Sequence, residues 1–142
     1  MTRFLVIGVT GTIGSNLLRR LLRDGEEVFV TRRDRSNLNR LAAVNGCFQT
    51  VSCEVTEAGS VSRVFEEVNP DVVFYLASTR FNPPSKPSID MAVNVIGMTN
   101  VLEALRAFPE TKMIFTGSAA AYGSGSMLRE DWKLSPNTVF GA

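Results

Sequence analysis

Five strand-length apolar runs alternate with segments of helical spacing along this chain, and few architectures accept that order. Phe4-Leu5-Val6-Ile7 opens the series and Val28-Phe29-Val30 follows. A weaker third run spans 48–55, a strong fourth is Asp71-Val72-Val73-Phe74-Tyr75-Leu76-Ala77, and Lys112-Met113-Ile114-Phe115-Thr116 is the fifth. Continuous apolar runs, rather than strict alternation, predict strands buried on both faces, as in a parallel sheet. Between them, Ile13, Leu17, Leu18, Leu21 and Leu22 share one helical face, which Asp24-Gly25 terminates. Leu38-Asn39-Arg40-Leu41-Ala42 reads as a short second helix. Val61, Val64, Phe65 and Val68 mark a third, closed by Asn69-Pro70. The longest covers 89–107, with Val93, Ile96, Val101, Leu102 and Leu105 as its apolar positions. The pattern predicts an α/β protein built on a doubly wound parallel sheet, about five strands with helices on both faces.

A length of 142 residues, 44% hydrophobic and 20% charged, fits one ordinary soluble globular domain. Fifteen Lys and Arg against fourteen Asp and Glu leave a net charge of +1, which gives no reason to expect a nucleic-acid or membrane-surface partner. Histidine is absent, so no histidine base or histidine metal ligand can come from this chain, and no metal site is expected. Cys47 and Cys53 are expected in one strand around the third run, where extended geometry separates them by roughly 20 Å. Two buried or half-buried thiols are expected rather than a disulfide. The amino-terminal apolar stretch ends at Gly8, too short for a secretory signal, and nothing approaches the ~20 apolar residues of a membrane span. A cytoplasmic location is the expectation.

Residues 78–88, with Pro83, Pro84 and Pro87, and residues 117–137, rich in Gly, Ser and Ala, read as loops. Both follow the carboxyl end of a strand, the edge where open α/β sheets bind ligands. The most informative stretch is Gly8-Val9-Thr10-Gly11-Thr12-Ile13-Gly14, which leaves the first strand and opens the first helix. Glycine there lets the chain turn tightly, lets a pyrophosphate approach the amides, and lets helix and sheet pack closely. Thr31-Arg32-Arg33-Asp34 ends the second strand, beside the ribose of a bound dinucleotide. Arg32 and Arg33 there favour a 2′-phosphate and hence NADP, while Asp34, about twenty residues beyond the glycines, suits NAD.

These stretches resemble the amino-terminal half of an extended short-chain dehydrogenase/reductase, the NAD-dependent epimerase/dehydratase family, with its Rossmann-like sheet. Beyond the glycine turn, the resemblance rests on Asn69-Pro70-Asp71-Val72-Val73-Phe74-Tyr75-Leu76-Ala77-Ser78 and on Asn94-Val95-Ile96-Gly97-Met98-Thr99-Asn100-Val101-Leu102-Glu103-Ala104. Phe115-Thr116-Gly117-Ser118-Ala119-Ala120-Ala121-Tyr122-Gly123 and Pro136-Asn137-Thr138-Val139-Phe140-Gly141-Ala142 complete it. It implies that Glu54 and Val55 meet the adenine, with Glu standing where the family usually has Asp. It implies that Leu76, Ala77, Ser78 and Thr116 line the cofactor, with Tyr75 where a histidine commonly precedes Leu-Ala. Asn94 then faces the nicotinamide pocket.

The same resemblance makes Ser118 the catalytic serine and puts Phe140 at the position of the family's acid/base tyrosine, whose phenol a following lysine activates. Phenylalanine has no proton to exchange, and the lysine position falls beyond Ala142. Tyr122 belongs to the family's own Tyr-Gly element and reads as a pocket or packing tyrosine. Residues 1–142 are accordingly expected to be a dinucleotide-binding domain, incomplete, with the carboxy-terminal substrate domain absent. The implied function is the NAD(P)-binding portion of a nucleotide-sugar epimerase, dehydratase or reductase that moves a hydride between a sugar carbon and the nicotinamide. A non-catalytic NAD(P)-binding regulatory module is the alternative. The chain's expected partners are NADP in preference to NAD and, for the full-length parent, a nucleotide sugar. The resemblance implies pairing through two helices, of which only 89–107 is present, so a homodimer stays an open alternative.

Overall fold

A computed structural model describes residues 1–79, 86–125, 127–138 and 140–142. Five parallel strands run β1 (Arg3–Ile7), β2 (Glu27–Arg32), β3 (Gln49–Ser52), β4 (Val72–Tyr75) and β5 (Lys112–Phe115). Their order across the sheet is β3-β2-β1-β4-β5, so the chain winds outward one way from β1 and then returns to wind the other. The sheet is the doubly wound one the apolar runs predict.

Burial on both faces explains those runs. Leu5, Ile7, Phe29, Val51, Val73 and Tyr75 point to one side, against α2 (Ala58–Val68) and α4 (Gly97–Leu105). Val6, Val28 and Val30 point to the other, against α1 (Thr12–Arg23) and Leu41. With every side chain of the central strand from Phe4 to Ile7 meeting one core or the other, polar alternation has no place there. The α1 helix stops as its sequence predicts: Asp24 closes the last turn, and Gly25 takes the left-handed conformation at φ +77°.

Four elements differ from the sequence expectation. First, β3 is shorter than 48–55 because its neighbour β2 ends: the ladder stops at Arg32 opposite Ser52, and the Cys53 amide then closes on the Arg32 carbonyl at 3.0 Å. Both cysteines therefore lie outside the strand, Cys47 exposed and Cys53 buried. Second, residues 39–44 form a 3₁₀ helix, not an α-helix. Leu38, Leu41 and Val44 recur every three residues, the spacing that a 3₁₀ helix stacks on one side, and all three pack on the α1 core.

Third, the long helix begins earlier than 89, as α3 (Pro87–Asp90), and passes through a π turn at Met91–Ile96 before continuing as α4. Val93, Val101 and Leu105 meet the core, but Ile96 and Leu102 point outward. Fourth, the loop expected over 117–137 contains a 3₁₀ turn at Ala119–Tyr122. Of the loop expected over 78–88, Pro87 and Ser88 belong to α3, and 80–85, with Pro83 and Pro84, lie outside the described residues.

Candidate functional site

The carboxyl ends of β1, β4 and β5 open onto a cleft of about 650 Å³. Its floor is the glycine turn. Gly8 leaves β1 at φ +99°, and a Cβ there would lie 2.6 Å from the Ala77 amide nitrogen. Gly14, inside the first turn of α1, is equally confined: a Cβ would sit 2.6 Å from the Gly8 carbonyl oxygen. Gly8 thus lets the turn pass against the chain leaving β4, and Gly14 lets α1 dock directly on that turn. Gly11 caps α1 without a side chain to cover its amides, and the first turn carries no acidic residue. Unsatisfied N–H groups facing an open cleft make a natural seat for an anion.

Arg40, from the 3₁₀ helix, braces this turn by donating from Nη1 to the Thr10 carbonyl at 3.2 Å. Arg19 in turn donates to the Arg40 carbonyl. Across the cleft, Asn94 is fixed at both ends of its carboxamide. Its Oδ1 accepts from the Thr79 amide at 3.0 Å, and its Nδ2 donates to the Thr79 hydroxyl at 3.1 Å. Ser118 Oγ accepts from the Ala120 amide at 3.2 Å and caps the 3₁₀ turn, leaving its own hydrogen to donate elsewhere.

Of the residues singled out by sequence, Gly8, Gly11, Thr12, Ile13, Gly14, Leu76, Ala77, Ser78, Asn94, Thr116, Ser118 and Phe140 share this cleft. Thr10, Arg32, Arg33, Asp34, Glu54 and Val55 do not line it. Arg32 is the exposed last residue of β2, with Arg33 and Asp34 exposed just past it. The Glu54 carboxylate turns back on its own loop, accepting from the Thr56 hydroxyl at 3.1 Å. Val55 is buried beneath the long helix, where its carbonyl accepts from Asn100 Nδ2 at 2.8 Å. Tyr122 lies off the cleft, its hydroxyl 3.4 Å from the Glu130 carbonyl.

Asp90 and Arg40 are among the contributors not foreseen: Asp90 lines the cleft although buried, and Arg40 reaches the glycine turn from outside it, while Tyr75, noted only as standing in place of a histidine, also lines the cleft. Asp90 and Asn94 stand four residues apart on one helix, a spacing visible in the sequence that places both on one face. Nothing local in the sequence marks Arg40, whose role depends on where the 3₁₀ helix packs. Burial, followed by the charge of a nearby ionised Cys53, pushes the Tyr75 phenol up to about 12. Burial also raises the Cys53 thiol.

Sheet order, glycine turn and carboxyl-edge cleft together define a Rossmann-type α/β fold. Within that class the chain belongs to the NAD dependent epimerase/dehydratase family, whose model matches residues 4–142. It is 30% identical over 143 residues to a UDP-glucose 4-epimerase of Lactobacillus helveticus, covering 98% of this chain and 43% of that enzyme. It is 32% identical to the decarboxylating sterol-4-alpha-carboxylate 3-dehydrogenase erg26 of Schizosaccharomyces pombe, covering 90% and 37% respectively. The crystal structure of the Bordetella bronchiseptica enzyme WbmG with NAD and UDP superposes with a TM-score of 0.86 at 28% identity, over 99% of this chain and 46% of that one. The chain therefore spans less than half the length of these relatives.

Proposed function

We infer that residues 1–142 are the dinucleotide-binding part of an enzyme that moves a hydride between a sugar carbon of a nucleotide sugar and a nicotinamide. The observation that carries this reading is the glycine turn. Gly8 and Gly14 clear the space for α1 to aim uncovered amides into a cleft that continues to Asn94 and Ser118. The residues present fit such a cofactor: small side chains at the turn, no acid in the first turn of α1, and cations at the end of β2. When bound, the nicotinamide supplies the hydride chemistry. The chain's own groups do the rest. The amides of α1 hold the pyrophosphate, Asn94 orients the ring, and the Ser118 hydroxyl holds the substrate oxygen. The UDP-glucose epimerase relative and the UDP bound to WbmG support a nucleotide sugar as substrate.

Calorimetric titration of the folded chain with NAD and NADP tests the reading, and absence of heat with both overturns it. Arg32 and Arg33 support a preference for NADP. Arg32→Asp is expected to reverse that preference, and an unchanged ratio removes the assignment.

Phe140 supports a second reading, a dinucleotide-binding module without turnover. It lines the cleft where the family's tyrosine would stand and offers no exchangeable proton. General acid–base help of this kind is worth about 10²–10⁴ in rate. Robust epimerisation of UDP-glucose by this chain would eliminate the second reading and the assignment of Phe140 together.

A further inference from the structure

The π turn in the long helix has a specific cause on the opposite side of the cleft wall. In an α-helix the Gly97 amide would bond the carbonyl four residues back, which is that of Val93. Here it reaches five residues back, to Ala92. The Val93 carbonyl accepts instead from the hydroxyl of Tyr75, at 3.1 Å. Tyr75 is the last residue of β4 and 1% exposed, so its hydroxyl has no water to turn to. Gly97 makes room for it: a Cβ at that position would lie 2.9 Å from the Tyr75 oxygen.

An extra residue in one turn rotates the helix on one side of it by about 100° relative to the other. Downstream, Gly97, Val101 and Ala104 stay buried against α2 and the sheet. Upstream, the rotation leaves Asn94 on the cleft, held by Thr79. Resting on the dinucleotide-site reading above, we propose that Tyr75 is a positioning residue. Its hydroxyl fixes the π turn, and the π turn aims the Asn94 carboxamide into the cleft opposite Ser118. The elevated Tyr75 titration keeps that hydroxyl a donor across the neutral range.

The test begins on the free 142-residue chain, without dinucleotide, by isotope-edited NMR. The Asn94 carboxamide is expected to show cross-peaks to Thr79. Tyr75→Phe is expected to lose them while keeping the β1–β4 cross-peaks and a cooperative thermal transition. Persistence of the Asn94–Thr79 cross-peaks in Tyr75→Phe overturns the proposal. Titration with NAD and NADP then closes a cycle. Tyr75→Phe is expected to weaken binding about tenfold in the wild-type background and not at all in Asn94→Ala. Additive losses overturn it. If the wild-type chain binds neither dinucleotide, the functional reading fails and the NMR comparison still judges Tyr75. If Tyr75→Phe does not fold, the wild-type chain decides: a slowly exchanging Tyr75 hydroxyl proton in contact with Val93 is expected, and its absence refutes the role.

Discussion

At Gly14 there is no room for a methyl group, because the Gly8 carbonyl occupies the space a Cβ needs. Gly14→Ala is expected to cost about 1–3 kcal/mol in urea unfolding, despite alanine's better helix propensity. Gly11 has only an ordinary contact nearby, at 3.5 Å, so Gly11→Ala leaves stability within about 0.5 kcal/mol while covering the helix mouth and weakening dinucleotide binding. The contrast separates a glycine kept for packing from one kept for a ligand. Tyr75 makes a pH prediction. Its folded value of about 12 exceeds the ordinary 10.0, so its contribution is complete below about pH 10. It is lost as pH rises toward 12, because the unfolded chain releases the proton first. Chemical denaturation from pH 9 to 11.5 is expected to show a decline that Tyr75→Phe reduces. These residue-scale facts were unevenly legible. The glycines announce themselves by spacing, whereas the partner of the Tyr75 hydroxyl, the Val93 carbonyl, comes from another element, and no local pattern names it.

Among the elements, the strands were readable because burial on both faces leaves a continuous apolar signature, and all five runs became strands. Their ends were not, since β3 stops where β2 does rather than where its own hydrophobicity fades. The 3₁₀ helix at 39–44 follows a period of three in its apolar residues. Leu38, Leu41 and Val44 fit three residues per turn better than 3.6. Leu41, fully buried at the centre of that triplet, is the anchor. Leu41→Ala is expected to cost about 2–4 kcal/mol and to loosen the Arg40 contact with Thr10, visible as faster amide exchange at the glycine turn. The π turn left no trace in the sequence. It depends on a hydroxyl from β4 meeting a helix carbonyl, a contact that exists only after both have packed.

Over the whole molecule, one helix joins the cleft to the outer surface. Ile96 and Leu102, 49% and 51% exposed, leave apolar side chains pointing outward from the helix whose other side is core. A second copy pairing through that outward side would cover it, and Leu102→Glu would then shift sedimentation from dimer to monomer without altering the circular dichroism. A wild-type chain that sediments as a monomer removes the pairing. The π turn within the same helix has a consequence for inheritance. A π turn is what a helix acquires when a single residue is slipped into it. The register at Met91–Ile96 is therefore one codon deep. Loss of one codon inside it would straighten the helix, leave Val101 and Ala104 on the core, and swing Asn94 away from the cleft. The same loss within α4 would pull those anchors off the sheet. A lineage could discard the site here and keep the fold.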